Sequence, residues 1–228
     1  MGEDSKKTPK PMIEIGGIPI ISHIMNRYSL FGINDFIICG GHKFNIIEKF
    51  FKEVLESNTK ENKFYESFNI KVIDTGKDTM TGGRLKRVEK YLENQTFCFT
   101  YGDTLNDVNI KKLIEFHKEQ KTLATVTACK PNEKFGILDL DNSKVIKFQE
   151  KPTSTRWVNG GYFVLEPEVY DYIENDSTVW ECEPMTKLVE KKEVAAYRHT
   201  GFYQPMDTIT EKNYLNKLWE SGNAAWKI

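Results

Sequence analysis

Residues 97–130 read FCFTYGDTLNDVNIKKLIEFHKEQKTLATVTACK, and they set the fold. FCFTYGD, 97–103, is a short apolar run ending in Gly-Asp, the mark of a buried strand that stops abruptly. NIKKLIEFHKEQ, 109–120, has helical spacing. LATVTACK, 123–130, is apolar and rich in Ala and Thr, a strand again. Strand, helix and strand within 34 residues predict parallel strands joined by a helical crossover.

The same rhythm extends toward the N-terminus. IPIISHIMNRYSLF, 18–31, places Ile21, Ile24, Met25 and Tyr28 on one helical face, closed by Gly32. DFIICGG, 35–41, predicts a strand, 44–56 a helix, FNIKVIDTG, 68–76, a strand, and GGRLKRVEKYL, 82–92, a helix presenting Leu85, Val88 and Leu92. The polar stretch SNTKENKFYES, 57–67, reads as a loop or mobile insertion. After residue 130 the rhythm changes. FGILDLD, a turn at Asn142–Ser143 and VIKFQEKP predict a hairpin region over 131–152, with Asp139 and Asp141 on a solvent edge. Residues 160–173 read as strand then helix, 181–191 as helix, 194–199 as strand and 208–222 as a final helix. The expected architecture is one α/β domain over 1–228. It has a doubly wound, mostly parallel, Rossmann-like (GT-A-type) sheet and an added antiparallel hairpin region.

Composition narrows the function. A formal net charge of −1 gives no global field for nucleic acid or anionic membrane. No apolar run spans a bilayer, and the first ten residues lack the apolar stretch of a signal peptide, so a cytoplasmic protein without membrane partners is expected. Cys39, Cys98, Cys129 and Cys182 form no CxxC pair and read as buried free thiols. Four scattered histidines do not make a zinc site. The basic clusters Lys6–Lys7–Lys10 and Arg84–Lys86–Arg87 are solvated faces or phosphate contacts.

Ligands of open α/β sheets bind beyond the carboxyl ends of the strands, so the residues just after each strand are the candidates. Asp103 follows a strand and is a magnesium ligand or a helix cap; Asp207 in QPMDT offers the same choice. Glu150 and Lys151 close a strand before Pro152 and face opposite ways if the chain stays extended, as crevice groups or an exposed edge pair. Asn159, Gly160 and Gly161 suit close backbone approach and hydroxyl binding, or a plain turn. Thr81, Gly82, Gly83 and Arg84 open a helix whose amides suit an anion or the polar edge of a base, or they form an ordinary glycine-bearing loop. Lys10, between Pro9 and Pro11, is expected in a stiff extended presentation.

Taken together, PKPMIEIGG, GIND–FIICGG, MTGGRLKRV, FTYGD, FGILD, FQEKP, NGGYFVL, WECEPM, GFYQPMDT and LWESGNAAWK closely resemble the glucose-1-phosphate cytidylyltransferase family of sugar-nucleotide pyrophosphorylases, in order from about residue 8 to the end. The resemblance implies CTP and glucose 1-phosphate as substrates, CDP-glucose and pyrophosphate as products, Mg2+ as cofactor, and a homo-oligomer. It implies Asp103 and Asp207 on the metal, Lys10 on the α-phosphate or pyrophosphate, and Lys151 on the sugar phosphate. Glu150, Asn159 and Gly160 would meet the sugar, and Thr81, Gly82, Gly83 and Arg84 the cytosine. In the family, a strand and a GGxGTRL loop precede the PKPM motif. Residues 1–9 do not match them, so the expectation is an N-terminally truncated chain with unpaired edges on two central strands. Two readings stay open on this basis: a nucleotidyltransferase, and a paralogue that binds nucleotide or sugar nucleotide, or assembles, without turnover.

Overall fold

The computed structural model describes residues 8–56, 62–133 and 135–227. Lys6 and Lys7 lie outside the described residues, as do residues 57–61 of the expected insertion.

Four strands form the larger sheet: β5 (Phe97–Thr100), β7 (Ala124–Cys129), β10 (Val158–Leu165) and β11 (Val194–His199), in spatial order β11-β7-β10-β5. β11 runs parallel to β7, while β10 is antiparallel to both neighbours, so β5, β7 and β11 share one direction. A short antiparallel ladder joins β1 (Glu14–Ile15) to β2 (Ile18–Pro19), and a second parallel pair joins β3 (Asp35–Gly40) to β4 (Asn69–Asp74). Crossover helices connect these strands, as the spacing requires: α1 (Ile20–Ser29) precedes β3, α2 (Phe44–Glu56) follows it, and α4 (Thr81–Val88) and α5 (Ile110–Gln120) lie on either side of β5 in sequence. Asn109 caps α5, its side chain accepting from the Lys112 amide at 2.9 Å. No helix among the described residues is long and apolar enough to cross a membrane.

Three buried clusters hold these layers. One gathers Ile20, Ile24 and Tyr28 of α1 with Leu113 of α5 and Tyr162 and Val164 of β10, and a second packs Leu85, Phe163, Leu165, Trp180 and Leu188. The third holds Ile21 and Met25 of α1 against Ile38, Ile47, Phe51, Tyr65 and Phe68. The predicted α1 face is therefore split between two clusters, one on each side of the helix.

Among the described residues, β3 pairs only with β4 and β5 only with β10. Their other edges border one open cavity of about 1860 Å3, lined by Phe36, Ile37 and Ile38 on one wall and by Phe97, Cys98, Phe99 and Thr100 on the other. Small-molecule pockets run to about 1,000 Å3, so the cavity is wider than a ligand cleft alone.

Several expectations change. Lys10 is not extended: Lys10–Met12 is a 3₁₀ turn with Pro11 in its first positions, closed by Met12 N donating to Pro9 O. The stretch read as a polar loop contains α3 (Asn62–Tyr65), held because Phe64, Tyr65 and Phe68 pack edge-to-face with one another and Tyr65 with Phe51. The helix expected after β10 is the 3₁₀ segment Pro167–Tyr172. Cys182 is exposed, at the cap of α6 (Glu183–Glu190), while Cys129 is buried and Cys39 and Cys98 are half-buried. Helix-cap duty falls to neighbours of the candidate carboxylates. Thr208 caps α7 (Ile209–Glu220) in a full capping box, with Glu211 accepting from the Asp207 and Thr208 amides.

Candidate active site

The antiparallel pairing of β6 (Thr104–Asn106) with β12 (Tyr203–Pro205) builds the site. Its register sets Pro205 opposite Thr104, and Met206 N donates to Asp103 O at 2.9 Å. Asp103 directly precedes that ladder on one strand and Asp207 lies two residues past it on the other, so two carboxylates about a hundred residues apart in sequence meet at one point. The 3₁₀ turn delivers Lys10 between them. Its Nζ lies 2.6 Å from Asp207 Oδ1 and 3.5 Å from Asp103 Oδ2.

The electrostatics follow from that contact. Burial raises the Asp103 carboxyl above the ordinary carboxylate range; Lys10 pulls it down and the neighbouring Asp207 charge adds to the rise. For Lys10, burial works against the charge. The hydrogen bond to Asp207 and the charges of both aspartates outweigh it, and its pKa ends above the ordinary value. A half-buried carboxylate with only a share of one ammonium is short of positive charge. Two oxygen donors in that state suit a hard divalent cation. No group of three or more His, Cys, Asp or Glu side chains converges among the described residues. A magnesium ion that completes its shell with waters and phosphate oxygens needs only one or two protein carboxylates.

A second cluster lines the same cavity. The Tyr101 hydroxyl donates to Glu181 Oε1 at 2.5 Å, and Asn159 Nδ2 donates to Tyr101 Oη at 2.9 Å. Thr81 Oγ1 donates to Glu181 Oε2 at 2.7 Å and accepts from the Trp180 amide. Burial pushes the Tyr101 hydroxyl far above its ordinary range, with Glu181 adding to the shift, so it stays a donor. Asn159 is aimed by its own bond to the Gly161 amide, 2.8 Å. Gly161 has φ +74°, and a Cβ there would stand 2.7 Å from the Tyr101 ring. Only glycine lets the Tyr101 ring approach β10 this closely. Arg84 spans to the other sheet, donating to Gly40 O at 3.1 Å and Thr75 Oγ1 at 2.7 Å.

Of the sequence candidates, Lys10, Thr81, Arg84, Asp103, Asn159 and Asp207 line the cavity together. Five do not. Gly82 and Gly83 are buried against residues 176–178, and both amides donate to Thr178 O, at 3.0 and 3.2 Å. The helix-start amides expected to meet an anion or a base already have a backbone partner. Gly160 presses on the neighbouring strand, where a Cβ would meet Cys129 Sγ at 2.6 Å. Glu150 and Lys151 lie past the end of β9 (Lys144–Gln149), at the base of the hairpin. They pair with each other at 3.7 Å and are about 60% exposed, 61% and 62%. Lys151 has φ +43°, so the chain has already turned and the alternation expected of an extended strand does not apply. The basic cluster on α4 is engaged at the surface, Lys86 with Glu89 and Arg87 with Asp176.

Sequence reasoning missed Tyr101, Glu181 and Tyr203. The first two lie inside FTYGD and WECEP, but neither is a charged residue directly after a strand, the position that marks the candidates. Tyr203 lines the cavity, its hydroxyl pushed up to about 12 by burial and nearby carboxylates.

The family model described as nucleotidyl transferase matches residues 5–224. The glucose-1-phosphate cytidylyltransferase of Salmonella typhi is 46% identical over 100% of this chain and 94% of its own length. The mannose-1-phosphate guanyltransferase of Saccharomyces cerevisiae is 30% identical over 92% of this chain and 60% of its own. Among solved structures, the UTP-bound UGPase of Acinetobacter baumannii superposes with a TM-score of 0.70 at 16% identity, covering 94% of this chain and 87% of that one, a likeness of fold.

Proposed function

Because the chain belongs to the nucleotidyl transferase family, we propose that it transfers a cytidylyl group from CTP to glucose 1-phosphate, forming CDP-glucose and pyrophosphate. The observation that carries this reading is the meeting of Asp103, Asp207 and Lys10 at one point of the cavity. Transfer at a phosphorus centre asks for alignment and neutralisation of charge more than for acid–base chemistry. Asp103 and Asp207 would hold Mg2+, which neutralises the nucleotide phosphates when bound. Lys10 then turns from the carboxylates toward the α-phosphate and the departing pyrophosphate. The attacking oxygen belongs to the sugar phosphate, and the α–β bridging bond of CTP breaks in line with it. Asn159, Tyr101 and Glu181 form a fixed row of hydrogen-bonding groups suited to sugar hydroxyls. Thr81 and Arg84 face the cytosine side, with Gly82 and Gly83 setting the position of that helix. The protein works in the cytoplasm as a homo-oligomer, with no nucleic-acid or membrane partner.

A second reading, nucleotide binding without turnover, is favoured by one observation: Glu150 and Lys151, proposed for the sugar and its phosphate, stand outside the cavity. Catalysis requires the 131–152 arm to bring Lys151 inward. The test is pyrophosphate release from CTP, glucose 1-phosphate and Mg2+, with CTP binding measured separately by calorimetry. Release that needs both substrates, and that is slower with dTTP or UTP, supports transfer. CTP binding without release supports the second reading, and neither result with CTP sinks both.

A further inference from the structure

The turn between β1 and β2 is gripped from outside. Like the hairpin of β8 (Ile137–Asp141) and β9, the β1–β2 ladder pairs with no third strand among the described residues. Unlike that hairpin, it is held by a helix. The Gly16 amide donates to Asn216 Oδ1 of α7 at 2.9 Å, and Asn216 Nδ2 donates to Lys212 O at 3.0 Å, which fixes the direction of the side-chain amide. Gly16 has φ +62°, and a Cβ there would stand 2.0 Å from Trp219 Nε1. The Trp219 indole therefore lies directly on the turn. His23 packs edge-on against that indole, ring centres 4.8 Å apart, and its Nε2–H donates to Ile15 O at 2.8 Å. Beneath the contact, Ile13, Ile15 and Leu215 are buried in one cluster with Met206.

Both partners of this contact lead to the site. On the strand side, Ile13 alone separates β1 from the 3₁₀ turn that presents Lys10, and the Ile13 amide donates to Lys10 O at 3.0 Å. On the helix side, α7 begins just beyond Asp207, and Glu211 of its first turn accepts from the Asp207 amide at 2.8 Å. Two cross-links thus tie the N-terminal arm to α7: Lys10 to Asp207, 197 positions apart, and Gly16 to Asn216, 200 apart. They differ in what they survive. The first is an ion pair that a cation on Asp103 and Asp207 would take apart. The second is neutral and out of that cation's reach, because Trp219 lies roughly 15 Å along the axis from the first residue of α7.

We propose that Gly16, Asn216 and Trp219 are positioning residues, which fasten the arm of Lys10 to the helix that begins beside Asp207 and so keep Lys10 in place when its carboxylates are occupied. A lysine released from its ion pair on an unfastened arm regains backbone freedom as well as side-chain freedom. Misplacement of a reacting group by about 1 Å costs on the order of 10²-fold in rate. With the arm fastened, only the side-chain torsions of Lys10 reset between carboxylate and phosphate. The indole, and not the turn alone, sets the need for a small residue at 16. The next residue, Gly17, has φ +78° and nothing within 4 Å of where its Cβ would be.

This inference rests on the transfer reading above, and its test reads Lys10 apart from turnover. The first measurement is the rate of reductive methylation of Lys10 in the metal-free full chain, followed by mass spectrometry at a temperature where circular dichroism shows each variant folded. The second is pyrophosphate release. Asn216→Ala should raise the Lys10 rate roughly fivefold, as the ammonium spends more time away from its carboxylates. It should lower kcat by about 10- to 100-fold and leave KM for CTP within about threefold. Asn216→Asp keeps an acceptor for the Gly16 amide and should restore both readouts. Asn tolerates positive φ. Gly16→Asn, set against Trp219, should therefore behave as Asn216→Ala does, and Gly17→Asn, in open space, as wild type does. That pair decides the matter if Asn216→Ala does not fold. Folded Asn216→Ala or Gly16→Asn with wild-type Lys10 labelling and wild-type kcat overturns the proposal, as does Gly17→Asn with the same defect as Gly16→Asn. If the wild type releases no pyrophosphate, the transfer reading fails, and the labelling ratio still decides for or against the fastening.

Discussion

Replacing Lys10 by Met should push two measurable quantities in opposite directions. In the structure the Lys10 ammonium lies 2.6 Å from one candidate metal-binding carboxylate and 3.5 Å from the other. A cation gripped by both carboxylates must displace this ammonium or accept it as a neighbour. Two unit charges at 4 Å repel by about 1 kcal/mol in water and about 4 kcal/mol at an effective dielectric of 20. The Lys10 side chain is 39% exposed, so screening favours the lower figure. For a divalent ion that comes to about 1–2 kcal/mol, a factor of roughly 5 to 30 in affinity. Lys10→Met should therefore tighten Mn2+ binding to the nucleotide-free protein by that factor, read by electron paramagnetic resonance titration. Pyrophosphate release should fall roughly 10²- to 10³-fold, the usual loss on removing one group that stabilises developing charge. A variant that binds Mn2+ more weakly than wild type, or that keeps full turnover, would refute the placement of Lys10 between metal and phosphate.

Three further outcomes follow from the same geometry. Asp103 has a folded-state pKa above its ordinary value of 3.8, so its ionised form is less favourable folded than unfolded, and stability present below that value is lost as pH rises through the folded pKa. Asp103→Asn should then raise the apo-protein thermal midpoint at pH 7, gain nothing at pH values below the ordinary carboxylate range, and abolish Mn2+ binding; a lower midpoint at pH 7 contradicts the assignment. In Gly83→Ala the new methyl would stand 2.6 Å from backbone atoms of Asp176, which cannot swing aside, and urea unfolding should show a loss of about 1–3 kcal/mol. Burial pushes the thiols of Cys39 up to about 11 and of Cys98 and Cys129 up to about 12, while Cys182 is exposed. Ellman's reagent at pH 8 should thus find one fast thiol in the native protein and four in urea, and two or more fast thiols would sink this picture.

Much of the fold was legible because its signals are local. The period of residues 18–31, the apolar run at 35–40 and the strand–helix–strand alternation across 97–130 declare their elements from near neighbours alone. What the sequence hid are contacts between distant segments. The Gly82–Gly83 pair looks like a ligand-binding turn, yet its small size serves the backbone of residues 176–178, nearly a hundred positions away. Phe64 and Tyr65 sit in a polar stretch, and only their packing against Phe68 and α2 turns that stretch into a helix. The extended form expected for Lys10 rested on flanking prolines, but Pro11 serves equally well in the first turn of a 3₁₀ segment. For the site, motif position found both carboxylates and the lysine. Asn159 was found as well, but its link through Tyr101 to Glu181 was out of reach, because hydrogen-bond partners 58 and 80 residues apart leave no mark of spacing.

The central claim is that Asp103 and Asp207 hold one ion together, against the phosphates of one nucleotide. A double-mutant cycle on Mn2+-dependent CTP binding tests it most directly, with Asp103→Ala, Asp207→Ala and the pair measured by calorimetry with and without metal. Each single variant should lose nearly all of the metal-dependent affinity, and the double variant should lose scarcely more than either. Losses that add independently, or metal-dependent CTP binding that survives both changes, would contradict it.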